Sequence, residues 1–288
     1  MTIETCAKVN LTLEVLGRRA DGFHELATVF QAVDLCDRIT LRPADELRLT
    51  ADGVEVPTDA RNLCWRAALL LSERFDCAPR AHIHLAKRIP SGAGLGGGSG
   101  NAAGTLAALA RFWKLPASAD ELAELAARLG SDCAFFLDGG AAVGRGRGER
   151  LTRLPALPDR VILVLAPREP VPTGAVYGAL TGFRPAAGAA TEALARGLAA
   201  GVVPPTDEWL VNDLEAASAR VSALVAEDRE RLAAAVPGRY RLSGSGGAWF
   251  LPLASAEAEA VRARLAALWP ERAMWLTRPV DWGWRPVG

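Results

Sequence analysis

The feature that most constrains the fold is a glycine run between two ordered segments, Pro90-Ser91-Gly92-Ala93-Gly94-Leu95-Gly96-Gly97-Gly98-Ser99-Gly100-Asn101. Residues 80–87 before it alternate like a strand, and residues 101–113 after it read as a helix. A flexible linker is a poor account of a loop held so closely by apolar segments on both sides. Glycines let bare backbone N–H groups approach an anion, and a helix start adds unsatisfied donors and the positive end of a dipole. Strand, glycine loop and helix start together predict a phosphate cradle. Gly92, Gly94 and Gly97 fit G-x-G-x-x-G, but a dinucleotide fold wants an acidic strand end about 20 residues further on. Here residues 116–121 read as a helix start instead. There is no Gly-Lys-Ser/Thr ending for a Walker loop, and the protein-kinase signatures are missing.

The chain of 288 residues has room for one large or two medium domains. Its 33 basic and 33 acidic residues cancel, so charge gives no case for a nucleic-acid or membrane partner. The cysteines, Cys6, Cys36, Cys64, Cys77 and Cys133, are odd in number and lack Cys-x-x-Cys spacing. That pattern fits reduced thiols in a cytoplasmic protein better than a disulfide framework or a zinc site. The first residues show no basic-then-apolar leader, and no apolar run approaches the roughly 20 residues of a membrane span. A small-molecule partner is expected, with the chain a monomer or homodimer.

Residues 2–16 and 23–41 read as extended, joined by the Asp21-Gly22 turn, so Phe23 and His24 return beside the first strand. Alternation places Lys8, Asn10 and Thr12 on one face and Val9, Leu11 and Leu13 on the other. A helix is expected over 61–75, and Ser118 to Glu121 forms a capping box for another, which Gly130 ends. Ser131-Asp132 precedes a short helix over 133–137, and residues 139–149 look like a strand with turns. Pro155 and Pro158 mark a boundary between domains 1–155 and 156–288. The second half reads as a strand at 161–166, Ala-rich helices between 173 and 235, strands near 240–251, a helix at 256–268 and a last strand at 273–277. The fold class is α+β.

Three motifs now stand in order: Ala7-Lys8-Val9-Asn10-Leu11, Pro90 to Ala103, and Leu242-Ser243-Gly244-Ser245-Gly246-Gly247. The order resembles that of the GHMP small-molecule kinase superfamily. With Arg19-Ala20-Asp21-Gly22-Phe23-His24-Glu25-Leu26, the first motif resembles the 4-diphosphocytidyl-2-C-methyl-D-erythritol kinases within it. Gly130 to Leu137, Gly144 to Glu149 and Asn212-Asp213-Leu214-Glu215 are similar to further motifs of that family, so the likeness runs from residue 7 to about residue 250. It implies an N-terminal domain like the second domain of ribosomal protein S5, a ferredoxin-like C-terminal domain and a cleft between them. It also implies transfer of the ATP γ-phosphoryl, with Mg²⁺, to a tertiary hydroxyl of a substrate carrying a cytidine diphosphate group.

On this resemblance Asp132 is the expected general base, against the plainer role of a helix N-cap. Lys8, which costs desolvation energy in an apolar strand unless paired, is expected beside it. Asn10 is expected at the substrate, and Phe23 and His24 at the cytosine, with Phe23 where the family commonly has Tyr. Pro90, Gly92, Gly94, Leu95, Gly96, Gly97, Gly98, Ser99, Gly100 and Asn101 are expected around ATP, and Ser99 is also a candidate to approach Mg²⁺. Ser243, Gly244, Ser245 and Gly246 would form a second glycine loop, which without the resemblance reads as a hairpin turn. His82 and His84 read as structural, and the C-terminal tryptophans as packing or an association surface. Cys6, Gly100, Ser131, Cys133 and Ala134 depart from the family pattern. The rival readings are a kinase for homoserine, mevalonate or a sugar, and a silent nucleotide-binding module. Asp21-Gly22-Phe23-His24 argues against the first, and the Lys8 and Asp132 pair against the second.

Overall fold

Two long antiparallel strands, β1 (Thr2–Arg18) and β2 (His24–Arg42), organise the first half of the chain. The computed structural model describes residues 1–183, 188–205 and 209–287. Both strands are rich in β-branched and apolar residues, and they pair from Thr2↔Thr40 to Arg18↔His24. Three register shifts interrupt this ladder, and one of them re-aims the site. Asn10 opposes Phe30 while Thr12 opposes Val29, so Leu11 is an extra residue in a β-bulge. The expected alternation therefore fails beyond Asn10. Lys8, Asn10 and Leu13 face the same cleft. Thr12 turns away, bonding Thr191 at 2.8 Å and accepting the Val29 N–H at 2.8 Å.

Strand β3 (Arg48–Gly53), which the sequence reading omitted, runs parallel to β4 (His82–Lys87), and β4 pairs with the far end of β2. The near end of β2 pairs with β5 (Ala141–Gly146), which pairs with β6 (Arg150–Leu154). Helices α1 (Leu63–Arg74), α2 (Gly97–Phe112) and α3 (Ala119–Leu129) cover one face of this sheet. The Ser118–Glu121 capping box opens α3 as the sequence predicts. Short α4 (Cys133–Asp138) follows. On the opposite face, Val9 and Leu11 pack with Ile162, Val164 and Phe250 of the second half.

That half carries β7 (Arg160–Leu165), α5 (Thr173–Gly178), α6 (Ala189–Ala199), β8 (Val211–Asn212), α7 (Glu215–Val221), α8 (Ala223–Ala235), β9 (Arg241–Leu242), β10 (Trp249–Ala254), α9 (Ala258–Leu268), β11 (Met274–Thr277) and β12 (Trp284–Val287). A four-stranded antiparallel sheet runs β11–β7–β10–β9, packed against α7, α8 and α9. The result is a mixed α+β architecture with two sheets. The Ala-rich helical reading falls partly on 184–187 and 206–208, which lie outside the described residues.

A division at residue 155 follows these sheets only in part. β8 and β12 both join β1 in the first sheet, at Thr12↔Val211 and at Thr2↔Val287 to Thr5↔Trp284. Nor is the Pro155–Pro158 segment a loose connection: Leu157 is buried, and its N–H donates to the Gln31 side chain at 2.9 Å. Thr50 binds both His82 and His84, through Nε2 at 2.8 Å and Nδ1 at 3.0 Å, which matches their structural reading. Among the described residues no helix is long and apolar enough to cross a membrane.

Candidate active site

The expected phosphate loop ends in a helix start. Gly96 caps α2 with φ +69°, a left-handed conformation that favours glycine, and the helix begins at Gly97 rather than at Asn101. The loop is pinned from two sides. Leu95 is buried, and its carbonyl accepts the Lys8 N–H at 2.9 Å. Across the loop, Ser243 Oγ donates to the Gly94 carbonyl at 2.9 Å, and the Ala248 N–H to the Ala93 carbonyl at 3.2 Å. The approach is so close that a Cβ at position 246 would lie 2.1 Å from the Ala93 carbonyl carbon. Asn212 holds the second loop from behind, donating to the carbonyls of Leu242 at 2.7 Å and Gly244 at 2.8 Å.

Beside the two loops lies a cleft of about 790 Å³. At one end stand Lys8, Asn10 and Asp132. Lys8 is buried, and its Nζ donates to Asn10 Oδ1 at 2.6 Å and lies 3.6 Å from Asp132 Oδ2. Asn10 Nδ2 donates to Thr28 Oγ1 at 2.8 Å, which fixes the amide with its oxygen toward the ammonium. Burial pulls the Lys8 pKa below the ordinary lysine value, and Asp132 pulls it partly back. Asp132 remains about one-third exposed at the head of α4, open to a substrate. It caps that helix by position only, with no side-chain bond to the helix backbone. The capping alternative thus leaves its carboxylate unaccounted for.

The other end of the cleft is aromatic. His24 stacks on Tyr177, with ring centroids 4.9 Å apart and planes 25° apart, and Phe183 lies 5.8 Å from His24. Phe23 stands exposed beneath the Arg147 guanidinium, 4.8 Å from its ring. Partial burial, helped by Arg18, lowers the His24 pKa and so favours the neutral imidazole. Burial pushes the Tyr177 phenol upward and keeps it protonated.

The structure thus brings Lys8, Asn10, Asp132, Phe23, His24, Gly94, Gly96, Gly244 and Ser245 to one cleft. Other expected contacts lie elsewhere. Asn101 is buried on the core side of α2, bonded to Thr5 and Asp37, because the helix starts four residues earlier than expected. Its side chain therefore serves the loop from below. Gly97 packs on Ile89 and Lys87, and Gly100 on the Cys6 carbonyl and the Phe136 ring. A Cβ at position 100 would meet that core. Gly92 abuts Pro170, Ser243 and Gly246 join the two loops, and Pro90, Gly98 and Ser99 lie outside the cleft lining.

Tyr177, Phe183, Arg147 and Thr173 also line the cleft, though the sequence reading gave them no role. Tyr177, one of two tyrosines in the chain, sits on the two-turn helix α5, too short for a periodic signal. Arg147 lies inside the Gly144–Glu149 motif, which offered the one sequence clue to it.

A carboxylate beside a buried ammonium, open to a cleft and adjoining a helix-start glycine loop, suits proton removal from a hydroxyl during phosphoryl transfer. Comparison with known proteins agrees. The family model for the GHMP kinases N terminal domain matches residues 62–140. A 4-diphosphocytidyl-2-C-methyl-D-erythritol kinase of Moorella thermoacetica is 40% identical over 280 residues, covering 94% of this chain and 96% of its own. One of Symbiobacterium thermophilum is 48% identical over 209 residues, covering 70% and 74%. Among solved structures, a 4-(cytidine 5'-diphospho)-2C-methyl-D-erythritol kinase superposes with a TM-score of 0.78 at 39% identity, covering 97% of this chain and all of its own. A homoserine kinase of Cytophaga hutchinsonii shares the fold, with a TM-score of 0.75 at 20% identity.

Proposed function

This chain belongs to the 4-diphosphocytidyl-2-C-methyl-D-erythritol kinase family of the GHMP kinases, and from that premise we propose how its cleft works. The reaction moves the ATP γ-phosphoryl to the 2-hydroxyl of 4-diphosphocytidyl-2-C-methyl-D-erythritol, a step in making isoprenoid precursors outside the mevalonate route. The observation that carries this reading is one cleft with the Lys8–Asp132 pair at one end and the His24–Tyr177 stack at the other. A substrate with a nucleobase at one end and a reacting alcohol at the other matches that polarity. The neutral His24 ring hydrogen-bonds the base, and the aromatic side chains cover its faces.

At the reacting end, Asp132 accepts the hydroxyl proton as the oxygen–phosphorus bond forms and ADP departs. Lys8 stands beside the carboxylate and offsets negative charge gathering at the nucleophile and the phosphoryl group. Asn10 keeps the ammonium aimed. The Gly94–Gly98 loop and the first turn of α2 offer N–H donors to the ATP phosphates. Among the described residues that line the cleft Asp132 is the one carboxylate, so a Mg²⁺ ion would be brought in with the nucleotide. The Ser99 hydroxyl in the first turn of α2 is the protein group that would hold it, which leaves Asp132 for the proton. When bound, the ion would supply positive charge that offsets the charge of the phosphates.

The test is ADP release from ATP and Mg²⁺ with the diphosphocytidyl alcohol, homoserine and mevalonate offered separately. Turnover with the cytidine-bearing alcohol alone is expected. Faster turnover with either of the others would overturn the substrate assignment.

A further inference from the structure

Beneath the phosphate loop lies a second buried ion pair that the reaction itself does not use. Lys87 at the end of β4 and Asp37 in β2 have side chains 2% and 0% exposed, 2.6 Å apart. The Asp37 carboxylate gathers four donors from three segments. Oδ1 accepts the backbone N–H groups of Arg88 at 2.7 Å and Ile89 at 2.8 Å, which are the first residues of the chain entering the loop. Oδ2 accepts Lys87 Nζ and, at 2.9 Å, Asn101 Nδ2 from the second turn of α2. Lys87 Nζ also donates to the Ile89 carbonyl at 2.6 Å, and Asn101 Nδ2 to Thr5 Oγ1 at 2.8 Å. The ammonium lies directly under the first residue of α2: a Cβ on Gly97 would come within 2.9 Å of it.

This arrangement is costly. A buried ion pair often stabilises less than apolar residues of equal volume, and a cation at a helix N-terminus opposes the dipole. Its geometric effect is specific, however. One carboxylate fixes both the chain entering the glycine loop and the helix leaving it. We propose that Asp37, Lys87 and Asn101 are positioning residues that set the shape of the phosphate cradle and thereby the affinity for ATP. The inference rests on assigning the Gly94–Gly98 loop to ATP. None of the three residues lines the substrate cleft, so none of them touches the cytidine-bearing alcohol.

The experiment is steady-state kinetics on the full chain, varying ATP and then the alcohol, for the native protein, Asp37→Asn and Asn101→Ala. It is paired with calorimetric titration of a non-hydrolysable ATP analogue. Asn101→Ala keeps the ion pair and carries the test if Asp37→Asn does not fold. Loss of a hydrogen bond to a charged group is expected to raise KM for ATP about tenfold, weaken analogue binding to match, and leave KM for the alcohol within about twofold. Rescue is expected at high ATP, where kcat returns to near the native value. A general fall in kcat with both KM values unchanged, or an equal rise in both, would assign the network to stability alone and overturn the proposal. If native turnover does not saturate with ATP, the loop assignment fails and the proposal fails with it.

Discussion

Lys8 shows how a single residue can be read in two stages. Its place in an apolar strand marks a charge that needs a partner, and the fold supplies Asn10 and Asp132. Burial lowers its pKa from 10.5, so in the folded protein the ammonium gives up its proton at a lower pH than a free lysine. Activity that requires the charged form falls as pH rises through that lowered value. The native pH–rate profile is therefore expected to show an alkaline limb below 10.5, which Lys8→Arg, charged throughout, removes at some loss of maximal rate. Tyr177 gives a second prediction. Removing the ring that stacks on His24 in Tyr177→Ala is expected to raise KM for the cytidine-bearing alcohol about tenfold, or about 1.4 kcal/mol, with KM for ATP unchanged. Lys8, Asn10, Phe23, His24 and Asp132 were legible because each sits in a short motif beside a turn or strand. Tyr177 and Phe183 were not, because they reach the cleft from beyond a long sequence separation, where local pattern says nothing about contact.

At the scale of elements, the two glycine loops act as one unit. The second loop is the connection of the β9–β10 hairpin, as its plain reading has it, and it also locks onto the first loop, where Ser243, Gly246 and Ala248 meet Ala93 and Gly94. Gly246→Ala places a methyl where the Ala93 backbone already stands, and the loops must part. The expected result is a fall in ATP-analogue affinity of about tenfold or more, measured by titration, together with a lower melting temperature. The sequence signalled both loops by their glycines but could not show that they touch. It also placed the start of α2 four residues late, because glycines read as helix breakers even where their small size lets the first turn pack on Lys87 and Cys6. The β-bulge at Leu11 was hidden for a similar reason, as alternation in one strand cannot reveal an extra residue opposite its partner.

For the whole molecule, the chain ends matter to the site. β12 pairs with the start of β1, Cys6 N–H donates to the Gly283 carbonyl at 3.0 Å, and Arg285 bonds Glu4. Trp284 lies under the Arg111 guanidinium at 4.6 Å and Trp282 packs with Cys6 and Phe136 of the first half, while Trp269 joins the core of the second. Deleting residues 279–288 removes this strand and frees the edge of β1 two residues before Lys8. The melting temperature is expected to drop on the order of 10 °C, at about 2–4 °C per kcal/mol, by calorimetry. A two-halves reading from Pro155 and Pro158 missed this return because a short strand of Trp, Arg, Pro and Val has little pattern of its own. The fold class was legible without it because it depends on the order of the longer elements.

The central claim is that Asp132 takes the proton from the acceptor alcohol, and Asp132→Ala tests it most directly. ADP release with the diphosphocytidyl alcohol, ATP and Mg²⁺ is compared for the native chain and the variant, with binding of both substrates measured alongside. A fall in kcat of about 10²–10⁴-fold with both substrates still bound is the predicted result. A variant that turns over at the native rate would contradict the account and remove Asp132 from the chemistry.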